Sequence, residues 1–410
     1  MAGSYRIRLR WELSSMEAQE RSRGMGEVTI LAVASAFRGI RDNLRMVVWQ
    51  PFVLSLGVPM SSLGGLESLM DVTRIAVQPV FGEASDAYGR KRFLALGELL
   101  MVVAGGTFIL ARSWHLVSIG VVLTSLSFAM FPVWNALVAE LAEPSQLGFV
   151  YSIIGTGYMA AGLVATLAAG FIADLYGYPS VFTIFVGVGL LSLLLVLLKL
   201  RETKAEEPDR EFNLAQIARS LIGAMKPKPN LRGFYVAMSV DLFAFSMGHR
   251  ILYGMLTKGY GYTPSMLGIL SAAMTCTMAV FQIPLGKIAD RAGYVLFLAI
   301  SQMISCFLLW ALLLSKEFWV VLATQAIMGV SAAFWMPAEQ AWIASNVDPK
   351  ERARAIGGYA TFRGLVAFPA PFIGGVLFDA FGFDVPILLN LILALVDVAL
   401  ILVLVKEKVA

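Results

Sequence analysis

Charged residues, histidine and cysteine are all scarce in this sequence. Only 15% of its 410 residues are charged, and it contains two histidines and two cysteines. Soluble domains carry about 25% charged residues, so the low value excludes an ordinary soluble protein. Cys276 and Cys306 both fall within apolar stretches, which excludes an extracellular disulfide framework and a cysteine metal motif. No phosphate-binding loop, metal-ligand cluster or nucleophile elbow stands in a supporting context, so we expect no enzyme activity, no cofactor and no metal.

Long apolar stretches dominate what is present. The hydrophobic fraction is 58% and the mean hydropathy is +0.75. Stretches of about 20 apolar residues cross a membrane as helices, whereas the strands of a membrane barrel would alternate apolar and polar residues. Runs such as 190–198 and 388–395 show no such alternation. The sequence therefore predicts an all-α membrane protein with twelve membrane-crossing helices. We call them spans 1 to 12, at 28–56, 62–82, 93–111, 116–140, 148–174, 179–199, 233–256, 265–286, 294–314, 318–343, 354–378 and 385–405.

Lysine and arginine are distributed unequally between the two sides that these spans create. If both termini lie on one side, only Arg112, Lys258 and Lys316 remain on the other. Because short cytoplasmic connections are enriched in basic residues, we expect both termini in the cytoplasm and the protein in the inner or plasma membrane. The net charge of +4 follows from this asymmetry and requires no nucleic-acid partner. The first 26 residues contain arginines but no apolar core, so we expect a cytoplasmic tail and not a cleaved signal peptide.

The second half of the sequence repeats a pattern of the first. Matching positions lie 204 residues apart up to residue 89 and 205 apart from residue 132 onward. Examples are Gly57, Ser61, Asp86 and Gly89 with Gly261, Ser265, Asp290 and Gly293, and Pro132, Gly170 and Asp174 with Pro337, Gly375 and Asp379. Two repeated halves in an apolar chain indicate two helical bundles that rock about a site between them, as in secondary transporters.

The predicted domains follow from this repeat. They are a cytoplasmic tail at 1–27, a six-helix bundle at 28–199, a cytoplasmic linker at 200–232, a second six-helix bundle at 233–405 and a cytoplasmic C-terminus at 406–410. Apolar residues recur at near-helical spacing within the linker. We therefore expect a short amphipathic helix there, lying on the inner membrane face.

Two related motifs follow spans 2 and 8. The sequence reads GEASDAYGRKR at 82–92 and GKIADRAG at 286–293. Each has a glycine, an acidic residue four positions on and a second glycine, accompanied by basic residues. The chain here resembles the major facilitator superfamily, whose signature between helices 2 and 3 has this pattern. The resemblance implies a twelve-helix transporter whose two bundles give alternating access to a central cavity lined by spans 1, 4, 7 and 10.

The resemblance also implies a latch on the cytoplasmic side. Its predicted residues are Gly82, Asp86, Arg90, Gly286, Asp290 and Arg354. Small residues let membrane helices approach closely, which is the expected role of the two glycines. A carboxylate is stabilised near a helix N-terminus. By resemblance, Asp86 meets the start of span 11 near Arg354, and Asp290 meets the start of span 5, when the transporter is open outward. The alternative is that the basic residues only set the topology.

Twelve ionisable side chains fall within the predicted spans. They are Arg38, Arg41, Arg45, Arg74, Arg250 and Arg363, with Asp42, Glu67, Asp71, Asp241, Glu339 and Asp397. Each costs about 2.5 to 3.5 kcal/mol at mid-membrane unless it is paired or hydrated. On span 1, the three arginines and Asp42 recur at spacings of three and four and so share one helix face. These groups must therefore pair or line a water-filled cavity.

Spans 1, 4, 7 and 10 supply the predicted site. The substrate-binding residues are predicted to be Arg38, Arg41, Arg45, Trp134, Asn135, His249, Arg250, Trp335 and Gln340. The predicted proton carriers are Asp42, Asp241 and Glu339, because a carboxylate in an apolar cavity can change protonation during a transport cycle. Asp71 and Arg363 are predicted to form a gating pair between the bundles. The alternatives are a structural salt-bridge network for the arginines and packing roles for the tryptophans, and we expect Asp397 to be structural.

The arginines predict the substrate class. Guanidinium groups bind carboxylate or phosphate through paired hydrogen bonds, so we expect secondary active transport of a small anionic or amphipathic solute, coupled to protons or a counter-ion. Besides these and the bilayer we expect no partner, and the protein is expected to be a monomer. Multidrug efflux is the alternative, although span 4 lacks the arginine and span 5 the glycine-proline pair that resemblance to drug exporters would imply. A transport-dead receptor or lipid scramblase is the alternative from another class.

Overall fold

The computed structural model describes residues 2–141, 147–203, 223, 225–348 and 351–406. Within these ranges the side chains of residues 2–25, Asp290, Ala353 and Arg354 are not described. All regular secondary structure in the described ranges is helical. The amphipathic helix predicted for the linker falls outside the described residues.

Each predicted span is formed by one helix or by two consecutive helices. The spans are Ala2–Ser55, Met60–Tyr88, Arg90–Leu110, Trp114–Phe128 with Phe131–Leu141, Leu147–Tyr176, Tyr178–Lys199, Arg232–Met247 with Leu252–Tyr260, Pro264–Ala292, Tyr294–Leu314, Phe318–Ser345, Arg352–Ala367 with Ala370–Phe381, and Asp384–Leu404. Short 3₁₀ helices lie at Pro229–Leu231 and His249–Ile251. Nine spans in the described ranges are long and apolar enough to cross a membrane. Of the other three, spans 1 and 2 carry several charged residues, and span 7 is divided into helices of 16 and 9 residues.

The helix boundaries differ from expectation at one end. Span 1 begins at Ala2 and not near residue 28, so the predicted tail continues the first membrane helix.

Two of the spans are interrupted near a proline. The interruption of span 11 lies at Phe368 and Pro369, where proline lacks the N–H that would continue the helical hydrogen bonds. Span 4 is interrupted just before Phe131 and Pro132. Neither interruption is repeated in the other half, because span 10, the equivalent of span 4, and span 5, the equivalent of span 11, are each a single helix.

The helices pack in two sets that follow the sequence repeat. Span 1 packs on spans 5 and 6, and span 3 on spans 4 and 6; in the second half, span 7 packs on spans 11 and 12, and span 9 on spans 10 and 12. Between the halves, span 2 packs on span 11 and span 5 on span 8. These two contacts exchange under the repeat, as expected for a pseudo-twofold arrangement.

The hydrophobic cores show where the halves separate. One core joins both halves and includes Trp49, Leu63, Leu252 and Leu267. A second core contains residues of the second half alone, and a third contains residues of the first half alone. We call the end that carries Gly57 and Gly261 the outer end and the opposite end the inner end. The joint core lies toward the outer end, and the two separate cores lie toward the inner end.

Close backbone contacts and two aspartates seal the outer end. A Cβ added at Gly64 would clash with the Pro371 carbonyl oxygen, and one at Gly170 would clash with that of Pro264. The carboxylate of Asp379 accepts hydrogen bonds from Met60 N at 3.0 Å and Ser61 N at 2.8 Å, at the start of span 2.

The equivalent contact joins spans 5 and 8. Asp174 accepts a hydrogen bond from Ser265 N at 2.9 Å, at the start of span 8. Each aspartate thus satisfies free N–H groups at a helix N-terminus of the opposite half, where a negative charge is stabilised. The repeat contains Asp174 and Asp379 at equivalent positions, so the outer closure is itself duplicated.

Candidate functional site

A central cavity of about 570 Å³ lies between the two halves. Its polar lining includes Asp71, Arg250 and Arg363, and its apolar lining includes Phe128 and Phe131. It extends to Gly82 and Gly357, and a Cβ added at either glycine would meet no atom within 4 Å. The cavity therefore reaches open space at the inner end, while the outer end is sealed.

Arg250 holds the two halves together at the closed end of this cavity. Its Nη2 lies 3.2 Å from Glu67 Oε2 and 3.1 Å from Asp71 Oδ1. Glu67 also accepts a hydrogen bond from Trp49 Nε1 at 3.0 Å. The predicted pairing of Asp71 with Arg363 is therefore wrong for this conformation. Asp71 does bridge the halves, but its partner on the other side is Arg250.

Gln50 supports the interrupted helix that presents Arg250. Its amide nitrogen donates to the Arg250 carbonyl oxygen at 2.7 Å, and its amide oxygen accepts from Gly254 N at 2.7 Å. These bonds satisfy backbone groups that the break in span 7 removes from the helical pattern, which is required at membrane depth. Gln50 was not among the residues predicted from the sequence.

The first half contains an ion cluster of its own. Arg38 Nε lies 3.3 Å from Glu98 Oε1, and the Arg41 guanidinium binds both Glu98 and Asp42. Asp42 also accepts a hydrogen bond from Tyr158 at 3.4 Å. Arg41 is only 1% exposed, so these contacts compensate its charge inside the bundle. Glu98 was not among the residues predicted from the sequence, although an acidic residue inside the apolar span 3 indicates such a pairing.

Arg45 differs from its two neighbours on span 1. Its guanidinium carbon lies 5.7 Å from the ring centre of Trp49 and 5.4 Å from that of Phe128. It forms no salt bridge among the described residues, and its buried Nε has no hydrogen-bond partner there. Cation–π contacts thus replace ion pairing. Arg45 remains within electrostatic range of Glu67 and Asp42.

The second half contains a different cluster, centred on Glu339. Trp335 Nε1 donates to its carboxylate at 3.0 Å, and Tyr359 and Arg363 donate to its other oxygen. Arg363 also donates to the Tyr359 hydroxyl at 2.8 Å. Glu339 is 4% exposed, so its charge is fully compensated by these donors.

A second cavity, of about 370 Å³, lies inside the second half. We call it the C-terminal cavity. Spans 7 to 11 line it with methionine, aromatic and serine side chains together with Asp241, Gln302, Glu339, Gln340 and Arg363. Arg363 lines both cavities. Asp241 interacts with the Gln302 side chain and forms no salt bridge among the described residues.

The predicted substrate-binding residues are divided between several places. Arg250 lines the central cavity, and Trp335 and Gln340 line the C-terminal cavity. The other six, which are Arg38, Arg41, Arg45, Trp134, Asn135 and His249, line neither of these two cavities. Three of the nine predicted residues therefore line one of these two cavities.

Three of the six residues that line neither cavity have local contacts that explain their position. The Trp134 ring lies 4.6 Å beneath the Arg38 guanidinium. The Asn135 backbone carbonyl accepts a hydrogen bond from Tyr151 at 2.8 Å. His249 is buried beside Phe245, with ring centres 5.0 Å apart, and its Nδ1 lacks a hydrogen-bond partner among the described residues. Each of these contacts is made within the residue's own half.

The motif after span 2 makes contacts within the first half. Asp86 Oδ1 lies 3.0 Å from Arg90 Nη2, and Arg90 continues to Glu140 at 2.7 Å. The Glu202 carboxylate accepts from Arg90 N at 2.8 Å. Gly82 faces open space instead of a neighbouring helix. The predicted partner Arg354, and Asp290 in the second motif, lie among the side chains that are not described, so the latch remains a prediction.

A comparison with models of known protein families shows the family of this chain. The family model of the Major Facilitator Superfamily matches residues 31–257 and 234–410. The chain belongs to the Major Facilitator Superfamily. It is therefore an integral membrane transporter with small-molecule substrates and not an enzyme, and the predicted family and all-helical membrane fold are confirmed.

Several relatives of this chain carry drug-related names. It is 25% identical over 353 residues to the "Multidrug resistance protein MdtG" of Serratia proteamaculans (strain 568), covering 84% of this chain and 81% of that protein. It is 26% identical over 365 residues to the protein of the same name from Enterobacter lignolyticus (strain SCF1), covering 87% and 86%.

Solved structures share the fold at low identity. The nucleoside transporter NupG matches with a TM-score of 0.75 at 12% identity, covering 93% of this chain and 100% of that one. The human organic anion transporter MFSD10 matches with a TM-score of 0.67 at 16% identity, covering 92% and 99%. A bacterial homolog of the human lysosomal transporter Spinster, in an inward-facing and occupied conformation, matches with a TM-score of 0.72 at 15% identity, covering 92% and 96%.

Proposed function

We propose that this transporter exports amphipathic organic solutes of varied structure by rocker-switch alternating access, in exchange for protons. The main support for this proposal is the charge balance of the central cavity. Arg250 is paired with Glu67 and Asp71, and Arg363 is paired with Glu339. An anionic substrate would have to displace these carboxylates, whereas the apolar walls remain free to bind amphipathic groups.

Similar relatives support the same substrate class. Both relatives described above are named multidrug resistance proteins and align with more than four fifths of this chain. Substrates of the drug type differ in their polar groups, and the feature that they have in common is apolar surface. A wall of aromatic and aliphatic side chains, with charges already neutralised, suits that variety.

The topology supports export. If both termini are cytoplasmic, as the basic residues predict, the inner end faces the cytoplasm and the cavity is open toward it. A solute enters from the cytoplasm and leaves after the outer contacts open. Both cavities are built from one chain, so we propose that the monomer is the transport unit.

Among the three predicted proton carriers, Asp241 is the best placed. Asp42 binds Arg41 and Tyr158, and Glu339 binds Arg363, Tyr359 and Trp335. Asp241 lines a cavity and lacks a salt bridge among the described residues. A carboxylate without a permanent cation is the group that can exchange a proton at least structural cost.

Organic anion transport is the second candidate, and Arg45 is the observation that favours it. This buried guanidinium has no carboxylate bound to it among the described residues. One neighbour by fold is named a human organic anion transporter. An anion that displaced Phe128 from Arg45 would meet an available charge.

Proton exchange in proteoliposomes tests the proposal and separates the two candidates. We expect an imposed proton gradient to drive ethidium and neutral amphipathic dyes against their concentration gradients, and to leave carboxyfluorescein unmoved. Phe131→Trp should reduce this transport because it fills the central cavity. Phe149→Trp is the matched control, since Phe149 is 65% exposed and does not line the cavity. Driven transport of carboxyfluorescein alone, lost in Arg45→Ala, would replace the proposal with the anion candidate.

A further inference from the structure

The C-terminal cavity is chemically distinct from the central cavity. Its wall contains four methionines, Met274, Met278, Met328 and Met336, and two aromatic rings, Phe245 and Trp335. Unbranched thioether side chains adapt to ligands of irregular shape. Aromatic faces attract organic cations. The wall therefore suits an apolar ligand with a positive charge.

The lining of this cavity contains one more carboxyl group than it contains cationic side chains. Three ionisable side chains line it, namely Asp241, Glu339 and Arg363. Arg363 forms an ion pair with Glu339, and the Glu339 carboxylate also accepts hydrogen bonds from Tyr359 and Trp335. Asp241 is left with one negative charge and a polar neighbour, the Gln302 side chain. When all three are ionised, the lining carries a net charge of about −1.

The groups around Asp241 do not supply the missing cation. On span 11 the facing charged group is Arg363, which is shared with Glu339 on span 10, and on span 9 the facing group is the neutral Gln302. On span 12 it is Asp397, which is fully buried and lies within electrostatic range of Asp241. A second carboxyl group behind Asp241 increases the demand for a positive charge in front of it.

We propose that the C-terminal cavity binds a lipophilic monovalent cation, with the charge against Asp241 and the apolar groups against the methionine and aromatic wall. The inference rests on the proposed export of amphipathic solutes and names one class of them. Its site is lined by residues of the second half and differs from the central cavity, although the two linings share Leu242 and Arg363. A cation there would occupy the same carboxylate as a proton, so the two ligands exclude each other.

Binding of tetraphenylphosphonium to the purified protein in nanodiscs tests this site. Tetraphenylborate is the matched probe, with nearly the same shape and the opposite charge, and empty nanodiscs correct for partitioning into lipid. We expect Asp241→Asn to weaken tetraphenylphosphonium binding by about tenfold or more, without weakening tetraphenylborate binding. Asp384→Asn is the control, because Asp384 is an exposed aspartate paired with Lys316 outside the cavity.

A second variant protects the test against misfolding. Ala332→Phe fills the C-terminal cavity and leaves Asp241 intact, since Ala332 lines the same wall. It should also abolish tetraphenylphosphonium binding, while a normal elution volume and melting temperature show that either variant is folded. Wild-type affinity should fall at acidic pH because protons compete for Asp241, and tetraphenylphosphonium itself has no titratable group.

The outcomes distinguish this inference from the proposed export function. If Asp241→Asn and Ala332→Phe both bind tetraphenylphosphonium like wild type, the cation site is wrong, and ethidium export remains to be judged by its own assay. Loss of binding only in Phe131→Trp would also overturn the site, because it would place the cation in the central cavity. Binding as predicted, together with no export of any amphipathic solute, would overturn the function and leave the site intact.

Discussion

The two halves of the molecule share a scaffold and differ in the sign of its buried charges. Glu98 in the first half corresponds to Gln302 in the second, 204 residues later. Trp134 corresponds to Glu339, 205 residues later. The first half carries Arg38 and Arg41 on span 1 and pairs both with a carboxylate on span 3, whereas Arg45 has no salt bridge among the described residues. The second half carries its carboxylate on span 10 and neutralises it with an arginine on span 11.

The two halves also differ in whether their ionisable clusters line a cavity. In the first half Arg41 is 1% exposed and its cluster has no lining position in either cavity. In the second half Asp241 lies on a cavity wall without a salt bridge among the described residues. Repeated helix packing therefore does not require repeated chemistry, and the half whose cavity is lined by a carboxylate without a salt bridge is the half in which we propose the cation site.

The largest expected effect comes from removing the group that joins the halves. Arg250→Ala leaves Glu67 and Asp71 buried without their cation, and loss of one partner of a buried pair costs about 3 to 5 kcal/mol. We expect a large fall in melting temperature. Arg74→Ala is the matched control because Arg74 contacts the same Asp71 from a side chain that is 47% exposed. Equal losses for the two variants would show that Arg250 contributes no more than a surface pair.

The next largest effect is expected when the equivalent side chains of spans 3 and 9 are exchanged. Glu98→Gln gives the first half the amide of the second and leaves two arginines short of a carboxylate, so we expect a loss of about 3 kcal/mol in unfolding free energy. Gln302→Glu should destabilise the second half by placing another carboxyl group beside Asp241. Glu83→Gln is the exposed control. If Glu98→Gln is tolerated like the control, the arginines do not depend on Glu98.

A smaller effect is expected from the paired outer contacts. Asp379→Asn removes the charge that two backbone N–H groups and Lys258 share, whereas Asp174→Asn affects one N–H group. We expect shifts toward the outward-open state of about 1 to 2 and about 1 kcal/mol respectively. Distances between spin labels at the outer ends of spans 3 and 9 measure the shift. A larger response from Asp174→Asn would reverse this ranking.

The smallest effect concerns span 12 and its counterpart, span 6. Asp397 corresponds to Ser192, 205 residues earlier, and the side-chain oxygens of both are buried without hydrogen-bond partners among the described residues. Asp397→Ser therefore breaks no described hydrogen bond, and we expect a change within about 1 kcal/mol. Ser192→Ala should be similarly mild. A loss above about 3 kcal/mol for Asp397→Ser would reveal a structural partner for this carboxyl group.

The helical scaffold is predictable from the sequence because it is encoded in short stretches and in a repeated pattern. Apolar stretches and repeated glycine and aspartate positions specify spans and symmetry without knowledge of contacts. The charged face of span 1 was expected to pair away from lipid, and Arg38 and Arg41 do form ion pairs inside the bundle. Arg250 and Arg363 were predicted as site residues because charged residues inside a span have few structural alternatives. Both line the central cavity, and their roles in transport stay predictions.

Pairing was less predictable because it depends on helix rotation and depth between distant segments. Asp71 and Arg363 were both recognised, but Arg250 lies nearer to Asp71 because span 7 is interrupted and Gln50 supports the interruption. The C-terminal cavity has no local signal, since its wall combines five spans. Methionines scattered over spans 8 and 10 become a surface only after the helices pack.

The partners of two buried ion pairs are synthesised at different times, because they lie far apart in the sequence. Arg41 is followed by its partner Glu98 after 57 residues, and Asp71 by Arg250 after 179. At about 5 to 20 residues per second, a nascent chain waits roughly 3 to 11 seconds for the first partner and roughly 9 to 36 seconds for the second. During these intervals Arg41 has only Asp42 and Asp71 has only Arg74 as an ion-pair partner. The ion pairs that join the two halves therefore form only after span 7 has been synthesised.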